Sequence, residues 1–180
     1  MVIITAVGAD RPGMAHAVAA VLAHLGCSIE DTTMTRLSGE FAMILIVSPP
    51  LGVTLQTIEQ CLSPLKVSHG LFINCKDIDE DVAIARQTEP AKSPSRYILS
   101  VYGLDKPGLL ARISEVLAQH GVNITDVQTR VASAGKVYVM VFEIEVPLDL
   151  ATAALSGALE LAGQEISVQI SLHPLDEETF

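Results

Sequence analysis

The chain has no tryptophan, and phenylalanine and tyrosine bring the aromatic share to only 4% of its 180 residues. Any core must therefore be built from Val, Ile, Leu and Ala, which suits strands and helices that pack by aliphatic interdigitation. Cysteine is scarce and odd in number, at Cys27, Cys61 and Cys75, with no C-x-x-C pair. That pattern excludes a disulfide framework and a cysteine zinc site, and it fits a reducing, cytoplasmic setting. The histidines are dispersed, at 16, 24, 69, 120 and 173, without metal-ligand spacing, so no metal site is expected. No apolar run reaches the roughly 20 residues of a membrane span. The N-terminus, Met1-Val2-Ile3-Ile4-Thr5, enters a strand pattern directly, without a basic segment or a cleavage site. Basic residues are few, and the formal net charge is −10. Nucleic-acid affinity comes mostly from neutralising phosphates with Lys and Arg, so direct DNA or RNA binding is disfavoured. No G-x-S-x-G, P-loop, H-E-x-x-H or G-x-G-x-x-G stands in a strand–helix context, so no catalytic residue and no cofactor are expected.

What the chain does have is a repeat. Residues 3–31 read IITAVGADRPGMAHAVAAVLAHLGCSIED, and residues 98–126 read ILSVYGLDKPGLLARISEVLAQHGVNITD. At an offset of 95, the distance from Asp10 to Asp105, the punctuation coincides: Gly8 with Gly103, Pro12 with Pro107, Gly13 with Gly108 and Gly26 with Gly121. Apolar positions coincide too, such as Val21 with Val116, Leu22 with Leu117 and Ile29 with Ile124. The register slips after this, near Ser38-Gly39-Glu40 and Ala134-Gly135-Lys136. A period this long implies two domains. The acidic and Pro-rich stretch between them reads as an exposed linker. The expected division is a first domain at 1–77, a linker at 78–95 and a second domain at 96–180. A short helical turn within Val82–Gln87 is possible on pattern.

Each half gives the same order of elements. A β-branched strand (Val2–Gly8, Tyr97–Gly103) leads into a helix that starts near Pro12 or Pro107 and ends at Gly26 or Gly121. Its inward face is Met14, Val18, Val21, Leu22 and Leu25, or Leu109, Leu110, Ile113, Val116 and Leu117. Then come a hairpin (Ser28–Arg36 with Glu40–Ser48; Asn123–Ala132 with Lys136–Val146), a second helix (Thr54–Leu62; Leu150–Leu161) and a last strand (Val67–Cys75; Ile166–His173). The fold class is therefore α+β: two tandem ferredoxin-like βαββαβ domains, each an antiparallel four-stranded sheet covered on one face by two helices. Pairing of the two domains, or of two chains as a homodimer, would cover the remaining faces and edges.

The turn Asp10-Arg11-Pro12-Gly13, repeated as Asp105-Lys106-Pro107-Gly108, is the most informative local motif. A helix start offers free N–H groups and a positive dipole end, which suit a carboxylate. Asp10 or Asp105 could cap the helix or accept bonds from an amine. Ser28 and Asn123, just past the helix, could reach a ligand held by a neighbouring domain. The plainer reading is that Asp, Pro and Gly merely start a helix; their repetition favours a ligand.

The pattern D-[RK]-P-G, an apolar helix and G-x-[NS]-I resembles the ACT domain through both halves. The first half, with CSIEDTTM and GEFAMILIVS, is most similar to the glycine cleavage system transcriptional repressor family. That resemblance implies a regulator that binds a small amino acid, with glycine or serine foremost. It also implies action through a protein partner such as a transcriptional activator, and no direct contact with DNA. Similarity to the serine-binding ACT domain of phosphoglycerate dehydrogenase implies a ligand set of Asp105, Lys106, Gly108, Leu109 and Asn123. The matching set in the first half is Asp10, Gly13, Met14 and Ser28. An asparagine stands in that domain where this chain has Asp105. Two other readings remain at this point. One is an interaction module without a ligand; the other is a non-catalytic relative of formyltetrahydrofolate deformylase, whose similar D-R-P-G unit precedes a catalytic domain. The RNA-recognition motif shares the topology but needs stacking aromatics on its central strands, where this chain offers Phe41, Tyr138 and Phe142.

Overall fold

A computed structural model describes residues 1–78, 94–132 and 137–175. The chain divides into two units, 1–89 and 90–180. Most of the expected linker, including the possible turn at Val82–Gln87, and the expected strand start at Lys136 lie outside the described residues.

In the first unit the order is β1 (Val2–Ala9), α1 (Met14–His24), β2 (Ser28–Leu37), β3 (Glu40–Ser48), α2 (Leu55–Ser68) and β4 (Phe72–Asp77). In the second it is β5 (Ser95–Gly103), α3 (Leu109–Gln119), β6 (Asn123–Ala132), β7 (Val137–Val146), α4 (Thr152–Ile166) and β8 (Val168–Pro174). The sheets run β2-β3-β1-β4 and β6-β7-β5-β8, with all pairings antiparallel. This is the ferredoxin-like order, twice.

Period-2 alternation decides which strand side chains meet the helices. Val2, Ile4, Ala6, Leu45 and Val47 close over Val18, Leu22, Ile58 and Leu62 in one core. Leu99, Val101, Met140, Phe142 and Ile144 close over Ile113, Leu117, Leu155 and Leu159 in the other. The expected inward faces of α1 and α3 are found, except that Leu110 points outward. Phe41 and Phe142 are core residues and Tyr138 packs against the second core, so none is presented for stacking on a base.

Two expected boundaries move. The helix expected over Thr54–Leu62, α2, continues through Pro64 to Ser68. Leu65 keeps helical register with Ile58 and Leu62 and is buried with them. That burial outweighs the loss of one hydrogen bond at Pro64, whose turn is solvent-exposed. Val67 and Ser68 are thus helical, and the last strand starts at Phe72. Likewise α4 runs to Ile166, and β8 starts at Val168.

Both outer hairpins carry a bulge at the same repeat position, between Ile29 and Asp31 and between Ile124 and Asp126. A bulge twists an edge strand and discourages further pairing.

The repeated glycines of β1 and β5 mark close approaches. A Cβ on Gly8 would lie 2.8 Å from the Gly70 carbonyl oxygen, whereas one on Gly103 would meet the Val168 side chain at 2.6 Å. The Val168 Cβ and Cα would themselves lie 3.1 and 3.3 Å away, so a rotamer change alone relieves neither site. Gly8→Ala and Gly103→Ala should each therefore cost about 1–3 kcal/mol, by urea melts of each variant.

The thiols give a second check. Burial pushes Cys27 up, and burial together with the Glu59 carboxylate pushes Cys75 up to about 11. Maleimide at neutral pH should leave both unmodified until denaturant is added, as read by intact-mass spectrometry. A raised thiol pKa contributes stability that is complete below the ordinary value near 9 and lost as pH climbs to about 11. Alkaline melts should therefore weaken across that window, and less so in Cys75→Ala.

Candidate functional site

In the first unit, β1 ends at Ala9 and the chain turns through Asp10–Gly13 into α1. Pro12 lies in this turn, before the first helical residue. Gly13 is the N-cap, in the left-handed region at φ 96°, and no side chain caps the helix. Asp10 therefore does not act as the cap. Its backbone N–H donates to the Gly39 carbonyl at 2.8 Å, which ties the turn to the β2–β3 hairpin. A Cβ on Gly13 would meet nothing within 4 Å, so its conformation, not crowding, calls for glycine.

Freed from capping, the Asp10 carboxylate accepts from the Arg36 guanidinium of β2 at 3.3 Å. The two flank a cavity of about 390 Å³ lined by Asp10, Arg11, Gly13, Met14 and Ala15 on one side. Met34, Thr35, Arg36 and Phe41 line the other. At the helix start the Met14 N–H donates to the Arg11 carbonyl at 3.4 Å, while the N–H groups of Ala15 and His16 have no intrahelical acceptor. The result is an apolar floor with an anion and a cation at its mouth. Such an arrangement can hold a zwitterion: its ammonium against Asp10, its carboxylate against Arg36 and the helix start.

The second unit repeats the turn. Gly108 is again a left-handed N-cap at φ 91°, without a side-chain cap. Leu109 is buried in the core, and the Lys106 ammonium donates to the Ile166 carbonyl at 3.4 Å. Arg36 sits opposite Phe41, and in the equivalent register Val131 sits opposite Tyr138. Val131 is 54% exposed and carries no charge, so Asp105 has no counterpart to Arg36. Among the described residues Asp105 makes no ion pair. A larger cavity of about 790 Å³ lies beside β8 and α4, lined by Ser100, Tyr102, Gly163 and Gln169 among others. Glu160 is its one charged lining residue, so it offers no cation to a carboxylate. A third, of about 340 Å³, reaches Leu104 at the start of the turn. Neither is lined by Asp105, Lys106, Gly108 or Leu109.

Asn123 and Ser28 lie elsewhere. Asn123 pairs across with Glu145, which pairs with Arg96, and its amide donates to the Glu145 carboxylate at 3.2 Å. The Asp105 turn follows Gly103 at the opposite end of β5. The length of strand from Arg96 to Gly103 is roughly 23 Å at about 3.3 Å per residue. Ser28 is likewise at the Val2 end of its sheet, far from Asp10. No single unit brings either residue to its own turn. Sequence reasoning missed Met34, Arg36 and Phe41. The available signal was the Arg36/Val131 difference, obscured by unequal hairpin loops.

Among the described residues no helix is long and apolar enough to cross a membrane. ACT-domain family profiles match residues 1–76 and 97–156. The glycine cleavage system transcriptional repressor of Escherichia coli is 25% identical over 171 residues, covering 94% of this chain and 85% of that protein. A UPF0237 protein of Methanocaldococcus jannaschii is 38% identical over 77 residues, covering 42% of this chain and 83% of its own. The solved structure of a candidate glycine cleavage system transcriptional repressor superposes with a TM-score of 0.74 at 21% identity, covering 98% of this chain and 97% of the other. A repeated ferredoxin-like sheet order, a repeated D-[RK]-P-G turn and full-length homology to that repressor agree, and the chain belongs to the tandem ACT-domain regulatory proteins.

Proposed function

We propose that this chain is a cytoplasmic amino-acid sensor whose ligand seats in the first unit, in the cavity beside the Asp10–Arg36 pair. The observation that carries this reading is that oppositely charged pair at the mouth of a pocket floored by Met14, Met34 and Phe41. Glycine and serine are the leading ligands. The volume of about 390 Å³ exceeds what either fills, so a larger side chain would also fit. Ser28 or Asn123 would complete the site only if supplied by a neighbouring unit, and a homodimer is one way to supply it. The ligand acts by favouring one pairing state over another, and a protein partner such as a transcriptional activator reads the difference. An acidic surface suits a protein partner better than a phosphate backbone.

The test is a thermal shift against all twenty amino acids. A ligand specific to the native state adds about 2.7 kcal/mol at a hundredfold excess over Kd. For a unit of this size that raises its Tm by roughly 10–20 °C. A rise confined to one or two amino acids is the expected result. A flat panel sinks the sensing reading and leaves an interaction module that works without a ligand.

A further inference from the structure

The two sheets differ on the face that the helices leave open. In the first unit the register sets Asp31, Ile46, Ile3 and Lys76 in one row across β2, β3, β1 and β4. The next row is Thr33, Ile44, Thr5 and Asn74. These side chains alternate with core residues such as Ile4 and Leu45, and so lie on the opposite face. Ile44 is 41% exposed, and Phe72, on the same face of β4, is 72% exposed. In the second unit the row matching Asp31 reads Asp126, Glu143, Ile98 and His173, and the next reads Gln128, Val141, Ser100 and Ser171. There Glu143 is paired with Arg96 at 3.2 Å, and the face is polar at its centre. One repeat has kept an isoleucine-rich face, and the other has not.

We propose that the open face of the first unit's sheet is where a second copy of this chain docks, face to face, about a two-fold axis parallel to the strands. Charge complementarity selects this occupant and this axis. The rotation sets β2 of one copy over β4 of the other. Asp31 then meets the partner's Lys76 twice, at opposite edges, while Ile3, Ile44 and Ile46 are enclosed between them. Thr33 falls over Asn74, so the flanking polar positions also find polar partners. A two-fold axis in the face but across the strands would set each strand over itself and leave Asp31 and Lys76 without each other. Aligned sheet-on-sheet packing at about 10 Å accommodates this arrangement. The inference rests on the homodimer in the reading above and supplies its surface.

The experiment is sedimentation velocity on the full chain, from low to high micromolar protein. Wild type should sediment as a dimer. Ile44→Glu should weaken it about tenfold or more, with circular dichroism unchanged. Asp31→Lys and Lys76→Asp should each weaken it about tenfold or more, because like charges are then juxtaposed twice. The double reversal should restore it to within about threefold of wild type. A monomeric wild type, a dimer indifferent to Ile44→Glu, or a double reversal that fails to recover would each overturn the proposal. A monomer whose Tm falls with Ile44→Glu would mean that one chain covers this face itself, and it too overturns docking of a second copy. The sensing reading fails separately: a dimer with a flat amino-acid panel leaves the docking face intact, and a monomer with a ligand shift leaves sensing intact.

Discussion

Phe142→Ala should cost the second unit about 3–5 kcal/mol, the loss expected for a fully buried aromatic truncated to alanine. Phe142 is 0% exposed, directly opposite Leu99 on β5 and Val127 on β6. It belongs to a core built mostly of Leu, Ile and Val side chains, which cannot fill a benzyl-sized gap without moving their backbone. For a unit of this length the loss corresponds to roughly 15 °C or more in Tm. Hydrogen exchange should show β5 and β7 losing protection while β1 and β3, which close over a separate core, keep theirs. A cost below about 1 kcal/mol would mean that the ring is displayed and not packed, the condition an RNA-stacking role would need. Phe41→Ala should cost the first unit a similar amount, because Phe41 is 4% exposed within its core.

Arg36→Ala should cut the thermal response to about half or less of wild type, at a hundredfold excess of amino acid over the wild-type Kd. Removing a charged hydrogen-bonding partner costs a ligand about 1.5–3 kcal/mol, or about ten- to hundredfold in Kd. The fold should barely register the change. The Asp10–Arg36 pair is solvent-exposed, with Arg36 73% accessible, and exposed pairs contribute about 0–1 kcal/mol. Affinity and stability therefore separate in this variant, as they would not in a packing mutant. Asp105→Ala is the counterpart in the second unit. With Val131 in place of a cation, that variant should leave the response unchanged. The reverse outcome, with Asp105→Ala silencing the protein and Arg36→Ala harmless, would move the site to the second turn. Calorimetric titration of both variants with whichever amino acid shifts wild type decides between them.

Sequence and structure differ here for reasons that can be traced to particular residues. The sheet order and both cores followed from periodicity, because whether a side chain faces in or out depends on local backbone geometry alone. The helix through Pro64 did not. Its expected end at Leu62 fell short, because burial of Leu65 in register with Ile58 and Leu62 carried the helix on. The D-[RK]-P-G turn was legible as a special conformation, since a glycine before an apolar helix signals a backbone that other residues avoid. Its role was not legible, because Asp10 turns to a strand 26 residues away instead of capping the helix.

Residue order alone carried the presence of two units, the ferredoxin-like sandwich of one sheet and two helices in each, and their aliphatic cores. Repeat, alternation and helical spacing are properties of neighbouring residues, so they survive without coordinates. That the first turn borders a cavity, that Arg36 of β2 pairs with Asp10 there, and that Ser28 and Asn123 lie at the far end of their sheets came only from the fold. Those facts depend on strand register, which is fixed jointly by a bulge in β2, the length of a hairpin loop and the packing of a helix. No single stretch of the chain contains all three.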